Sequence, residues 1–242
     1  RLDKPEICLD RKSRTERRTA AQQRSFEALS LQLGGAHNAL AFGRWNEAQA
    51  AYARLTKEAE AAGETALAAQ ALVGRAQAAL STERPEEAIA LFDEGIATAL
   101  YAEDYMAAAA GYATLLDISN AIGTDFGQSE RIGHLGAWAI ERGGLSDHYR
   151  YHWRRALGEA YGINQRPIES ELLLRAALAV TADPYEQADV QMILAQVLTD
   201  RCDYAGARAM LQAAEANTRG RFVDARQTMV VPLGHAYLEY AT

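Results

Sequence analysis

The chain has 242 residues, 49% of them hydrophobic and 24% charged, with five prolines and a formal net charge of −7. That balance argues against a nucleic-acid partner, which needs a basic footprint, and no apolar run approaches the roughly 20 residues of a membrane span. Cys8 and Cys202 are the two cysteines, and a chain of this length needs no disulfide to fold, so a soluble, cytoplasmic setting is expected.

Charge is spread unevenly. Residues 1–24 carry eight Lys or Arg against four acids, which leaves 17 basic and 28 acidic residues in the remainder. The segment 1–24 reads as a basic arm or linker helix; docking on the acidic body or on a membrane surface are the alternatives. Within it, Ser13, Thr15 and Thr19 stand beside basic residues, a pattern open to phosphorylation. The chain begins at Arg1 without Met, so a piece of a larger protein is expected.

From about Ala20 to Phe42 the apolar positions Phe26, Leu29, Leu33, Ala36 and Leu40 recur at three and four, the mark of an amphipathic helix. Gly43 ends it, and Trp45 opens a second helix to about Ala62. Helices near 65–82 and 86–102 follow, then 104–122. Gly133 and Gly136 lie where the next helix would carry larger residues, so that helix is expected to be distorted or exposed. Further helices are expected over 147–164, 167–182, 184–200 and 205–218. A last one starts near Phe222, with Pro232 placed to kink it. Its partner is missing, which leaves an apolar face through which the chain could form a homodimer. Pro85 and Pro167 fall just inside their helices, where the absent N–H costs nothing.

One signature recurs along this series. A small residue falls at Ala48, Ala88, Ser129, Ser170 and Ala207, in steps of 40, 41, 41 and 37. A period near 40 made only of helix formers implies stacked antiparallel helix pairs, an all-α solenoid. The layout is then a repeat domain over 25–242, with five pairs and an unpaired final helix. Ala36, Ala76, Gly158, Ala195 and Gly234 lie 12 residues ahead of the small residue of the second helix, measured or extrapolated. Leu157-Gly158 with Tyr161, and Leu233-Gly234 with Tyr237, supply bulky neighbours to the crossing.

These residues resemble the tetratricopeptide (TPR) pattern over about residues 26–242, with a period longer than the standard repeat. The resemblance implies a right-handed α-solenoid that binds a protein or peptide and performs no catalysis. In addition, Cys8-Leu9-Asp10-Arg11 ahead of such an array is similar to the segment following the kinase domain in bacterial serine/threonine kinases of the myxobacterial type. That similarity implies a regulatory or partner-recruiting region of a signalling protein.

The first helix of each pair lines the concave face of such an array. The repeat register puts His37, Gln77, Glu159, Gln196 and His235 at one equivalent inward place, with Arg155, Met192 and Asp200 close by. Together they form the candidate groove for an extended peptide or partner helix, set against an ordinary solvated surface. A sensor whose superhelix closes on a small molecule or peptide is the rival reading. No catalytic residue is expected. Asp125-Phe126-Gly127 spells a kinase magnesium triplet, but no glycine-rich loop, strand lysine or catalytic-loop aspartate accompanies it. No cofactor or metal is expected either. His148 and His152 share a helical face four residues apart, yet no third ligand has an obvious spacing, and they read as part of a polar-aromatic face with Tyr149, Tyr151 and Trp153.

Overall fold

The computed structural model describes residues 18–123 and 125–219. Among these residues there are ten helices and no strand: α1 (Ala20–Ala41), α2 (Trp45–Ala61), α3 (Thr65–Ser81), α4 (Pro85–Tyr101), α5 (Tyr105–Ile122), α6 (Phe126–Gly143), α7 (Asp147–Ile163), α8 (Pro167–Leu178), α9 (Pro184–Asp200) and α10 (Tyr204–Thr218). The fold is all-α, as the sequence implies. The backbone divides into two compact units, Arg1–Asp104 and Tyr105–Thr242. The final helix expected from Phe222, His235 and the arm over 1–17 lie outside the described residues.

The turns repeat because the chain solves one problem many times over. A residue with positive φ follows α1 to α7 and α9: Gly43, Gly63, Glu83, Glu103, Gly123, Gly144, Gln165 and Cys202. In most of these turns the next residue sends its N–H back to a carbonyl five positions earlier, as in Arg44 N to Ala39 O at 2.9 Å, Arg166 N to Tyr161 O at 2.9 Å and Asp203 N to Leu198 O at 2.8 Å. This is the Schellman closure, which satisfies carbonyls the ending helix would orphan. The turn from α8 to α9 differs. There the Asp183 side chain accepts from the Tyr185 and Glu186 amides, and Pro184 starts the helix.

The small residues at period 40 are buried as the packing argument requires. Ala48, Ala88, Ser170 and Ala207 are wholly enclosed and Ser129 is nearly so. Ser170 also donates its hydroxyl to the Gly158 carbonyl across the α7–α8 crossing, at 2.6 Å. The helix carrying Gly133 and Gly136 is not distorted, since α6 runs unbroken for 18 residues, but it is partly exposed, with Leu135 and Trp138 about half open. Its glycines receive side chains of α7. A Cβ on Gly133 would stand 2.6 Å from the Leu157 side chain, and one on Gly136 would stand 3.1 Å from Trp153. Trp153 then donates its indole N–H to the Gly133 carbonyl at 2.6 Å.

In the first unit α1 to α3 pack around Tyr52, Leu55, Ala59 and Ala71, with Leu29, Leu33 and Leu67 closing the core. Arg18 anchors the chain entering α1, pairing with Glu64 at 2.6 Å and lying 3.9 Å over the Phe26 ring. The tightest approach in this unit is at Gly74, where a Cβ would meet the Tyr52 ring at 2.4 Å. Overpacking a core costs about 1–3 kcal/mol, whereas Gly→Ala within a helix gains about 1 kcal/mol. Gly74→Ala should therefore destabilise the protein by about 1 kcal/mol net in urea denaturation. In a Tyr52→Leu background, where the ring is gone, the same change should become neutral or stabilising. An unchanged penalty in both backgrounds would contradict this packing.

Candidate functional site

In the second unit the first helices of successive pairs, α5, α7 and α9, lie next to one another. Their shared face carries a charge cluster centred on Arg155, whose side chain keeps only 15% of its surface open. The guanidinium binds Asp117 of α5 through Nη2. Its Nη1 reaches Glu159 Oε2 at 3.2 Å, one turn along α7, and its Nε lies 3.6 Å from Asp189 Oδ2 on α9. One cation thus ties three helices together and is shared by three carboxylates. Tyr151 sits one turn before Arg155, buried, and donates its hydroxyl to the Glu186 backbone carbonyl at 3.2 Å.

Electrostatics follow from this crowding. Burial pushes the Asp117 carboxyl up to about 6; Arg155 pulls it back, and the charges of Glu159 and Asp189 push it further. Asp189 is raised for the same first reason, and Arg155 opposes that shift too. Burial works against the charge on Arg155, but the three acids outweigh it and hold the guanidinium firmly in its charged form. The Tyr151 phenol is pushed far above its ordinary range, by burial first and by Asp189 second.

The eight residues assigned to the groove fare differently. Arg155 and Glu159 are brought together as the centre of the cluster. Gln196 and Asp200 are exposed and bond to each other at 2.9 Å, one turn apart on α9. Met192 is half-buried against Ala188 and Ala214, so it serves the α9–α10 packing as much as the surface. In the first unit His37 sets its ring edge-on to Tyr52 at 5.7 Å, and loss of water around that ring lowers its pKa. Gln77 is half-buried on α3. His235 lies outside the described residues.

Asp117 and Asp189 are the two members that sequence reasoning missed. Asp117 is the third-pair equivalent of His37, Gln77, Glu159 and Gln196. The turn residue Gly123 is followed by two residues before α6 begins, whereas Gln165 is followed by one before α8. That single extra residue shifts the register by one, so counting 12 back from Ser129 lands on Asp117 as though it were the small crossing position. Asp189 stands 37 residues after His152, the same step that separates Gly158 from Ala195.

The repeat also supplies what the histidine pair lacked. His148 and His152 on α7 meet Glu186 in the first turn of α9, and one donor atom from each lies within 4.8 Å of the others. Burial, then the neighbouring His148, lowers His152 to about 4, so its imidazole is neutral at about pH 7. The triplet Asp125-Phe126-Gly127, by contrast, simply opens α6, with Asp125 at the cap. No helix among the described residues is long and apolar enough to cross a membrane.

No protein-family model and no curated protein sequence matches the chain. Solved structures do. Nearly identical TPR-like repeats from a candidate kinesin light chain of Podospora anserina match with a TM-score of 0.60 at 16% identity, covering 79% of this chain and 95% of that one. A variant of those repeats with one glutamine replaced by methionine matches with a TM-score of 0.62, again at 16% identity, covering 83% of this chain and 97% of the other. The fold is TPR-like. At this identity the likeness concerns architecture, and the residues of the Arg155 cluster stand on their own geometry.

Two outcomes test the cluster. Removing one partner of a buried ion pair costs about 3–5 kcal/mol when the remaining charges stay enclosed. The carboxylates here are part-exposed, so Arg155→Met should cost about 2 kcal/mol in denaturation, and a loss near zero would contradict the arrangement. The Asp117 effect is a matter of sign. Its folded pKa lies above the ordinary 3.8, so the folded state holds the proton more tightly between about pH 4 and 6. The stabilising contribution of that proton is full below about pH 4 and is lost as pH rises through about 6. Asp117→Asn should flatten the fall of unfolding free energy across that window, leaving the share of Asp189. An unaltered slope would show that Asp117 does not titrate as described.

Proposed function

We propose that the chain is a non-catalytic protein-binding scaffold, and that the face formed by α5, α7 and α9 captures an extended segment presenting an arginine or lysine. The observation that carries this reading is the imbalance around Arg155: one guanidinium faces Asp117, Glu159 and Asp189. A second cation from a partner would relieve that excess of negative charge, and a charge-assisted bond is about twice as strong as a neutral one. Rigid stacked helices also limit the entropy lost on binding. The acidic balance of the chain outside its first 24 residues favours the same class of partner.

The finer context, a recruiting region of a bacterial serine/threonine kinase, is supported only by the Cys8–Arg11 resemblance, and the peptide it would recruit is then a basic segment of a signalling partner. Closure of the stack on a small ligand is the rival. Homodimerisation through residues 220–242 would appear as a mass that rises with concentration.

Fluorescence anisotropy with labelled peptides separates these readings. Peptides with spaced Arg or Lys should bind with an affinity that falls as salt is raised, and acidic peptides of the same length should not. The triple variant Asp117→Asn, Glu159→Gln, Asp189→Asn should lose at least about tenfold in affinity, or about 1.4 kcal/mol. Equal binding of acidic and basic peptides, or an unaffected triple variant, would refute the groove assignment.

A further inference from the structure

Two imidazoles and a carboxylate converge where α7 and α9 begin. The imidazoles are those of His148 and His152 on α7, one turn apart, with ring centroids 4.5 Å apart and planes at 85°. The carboxylate is Glu186 on α9. Its Oε1 lies 3.7 Å from His148 Nδ1 and 3.8 Å from His152 Nε2. Its other oxygen, Oε2, accepts from the Thr181 hydroxyl. Thr181 is itself fixed in the turn before α9, where its hydroxyl accepts from the Asp183 amide at 3.1 Å and its carbonyl accepts from Gln187 Nε2 at 3.1 Å. One carboxylate oxygen is therefore held by the turn while the other is left facing both rings.

We infer that His148, His152 and Glu186 form a binding site for a divalent transition-metal ion of the zinc type, with a coordination position left open. The donor chemistry sets the class. Two imidazoles and one carboxylate suit zinc and its transition-metal neighbours, whereas calcium and magnesium require sets of oxygen ligands. The distances fit as well. Zinc binds these donors at about 2.0–2.2 Å, which places neighbouring donors of a tetrahedral site about 3.3 Å apart. The two nitrogen–oxygen separations exceed that by a few tenths of an ångström and the two ring nitrogens lie within 4.8 Å of each other, so the side chains must rotate inward to close on an ion. The positive charge of Arg155, farther along α7, does not stand bare against the ion, since Asp117, Glu159 and Asp189 share it.

Three protein ligands leave at least one position for water or for a donor from a bound partner. Thr181 acts as a positioning residue, fixing the carboxylate from outside the ligand set. Because the ligands come from the first helices of two successive pairs, the ion would staple α7 to α9 beside the Arg155 cluster.

Calorimetric titration of the tag-free protein with Zn²⁺, in a non-chelating buffer and a Cys202→Ser background, tests the site. One equivalent should bind, Mg²⁺ should not, and Co²⁺ should show the visible absorption of a low-coordinate site. His148→Ala, at an exposed position, and the near-isosteric Glu186→Gln should each weaken Zn²⁺ binding, and Thr181→Val should weaken it by about tenfold. Circular dichroism checks that each variant keeps its helices. Absence of a Zn²⁺ heat, or an affinity untouched by His148→Ala and Glu186→Gln in folded protein, would overturn the assignment.

Discussion

Two helices joined by a short turn can lie closely side by side only where one of them offers almost no side chain, and everything else in this protein depends on meeting that condition at regular intervals. Ala48, Ala88, Ser129, Ser170 and Ala207 meet it on the second helices, and each is buried. The close approach fixes each pair, and the fixed pairs bring the first helices α5, α7 and α9 into one face of the second unit. Arg155 can touch carboxylates from three helices only because of that alignment. The cluster is a product of the repeat and needs no special loop.

Polar groups then exploit positions that the apolar packing leaves over. On α7, Ala156, Leu157 and Ala160 are buried in the core, while Arg155 and Glu159 stand on the other side of the same turns. Arg155 is deep enough to lose most of its water, so it must be paired, and Asp117 and Asp189, two of the acids that pair it, are themselves raised by burial. The result is a surface that is electrostatically unfinished. One largely buried guanidinium is shared there by three carboxylates, and that is the feature on which the proposed capture of a cationic segment rests. His148, His152 and Glu186 occupy the starts of α7 and α9, so the same alignment of first helices that builds the cluster also assembles them.

Much of this is legible in the sequence because it depends on residue size and spacing. The helices from Ala20 to Asp200 begin and end close to where Gly, Pro and the apolar period place them; α8 is the exception, stopping at Leu178 rather than near 182. The turns are harder to read, because Glu83, Glu103, Gln165 and Cys202 adopt a left-handed conformation that favours glycine. Gly133 and Gly136 mislead for a related reason. A glycine in a helix weakens it in isolation, and only the neighbouring helix shows that Leu157 and Trp153 fill the space. Half of the charge cluster is visible, since Arg155 and Glu159 are one turn apart on one helix. Asp117 is hidden by a single extra turn residue, and Asp189 and Glu186 by the need to know which helix follows α7 in space.

At the centre of this structure the repeat places side chains of α5 and α7 in direct energetic contact. A double-mutant cycle on Asp117→Asn and Arg155→Met measures that contact without reference to any ligand. The two changes should be non-additive, with a coupling energy of about 1 kcal/mol or more, as expected for a part-buried charge pair. Strict additivity would mean that the two residues do not interact, and the alignment of first helices described here would be wrong.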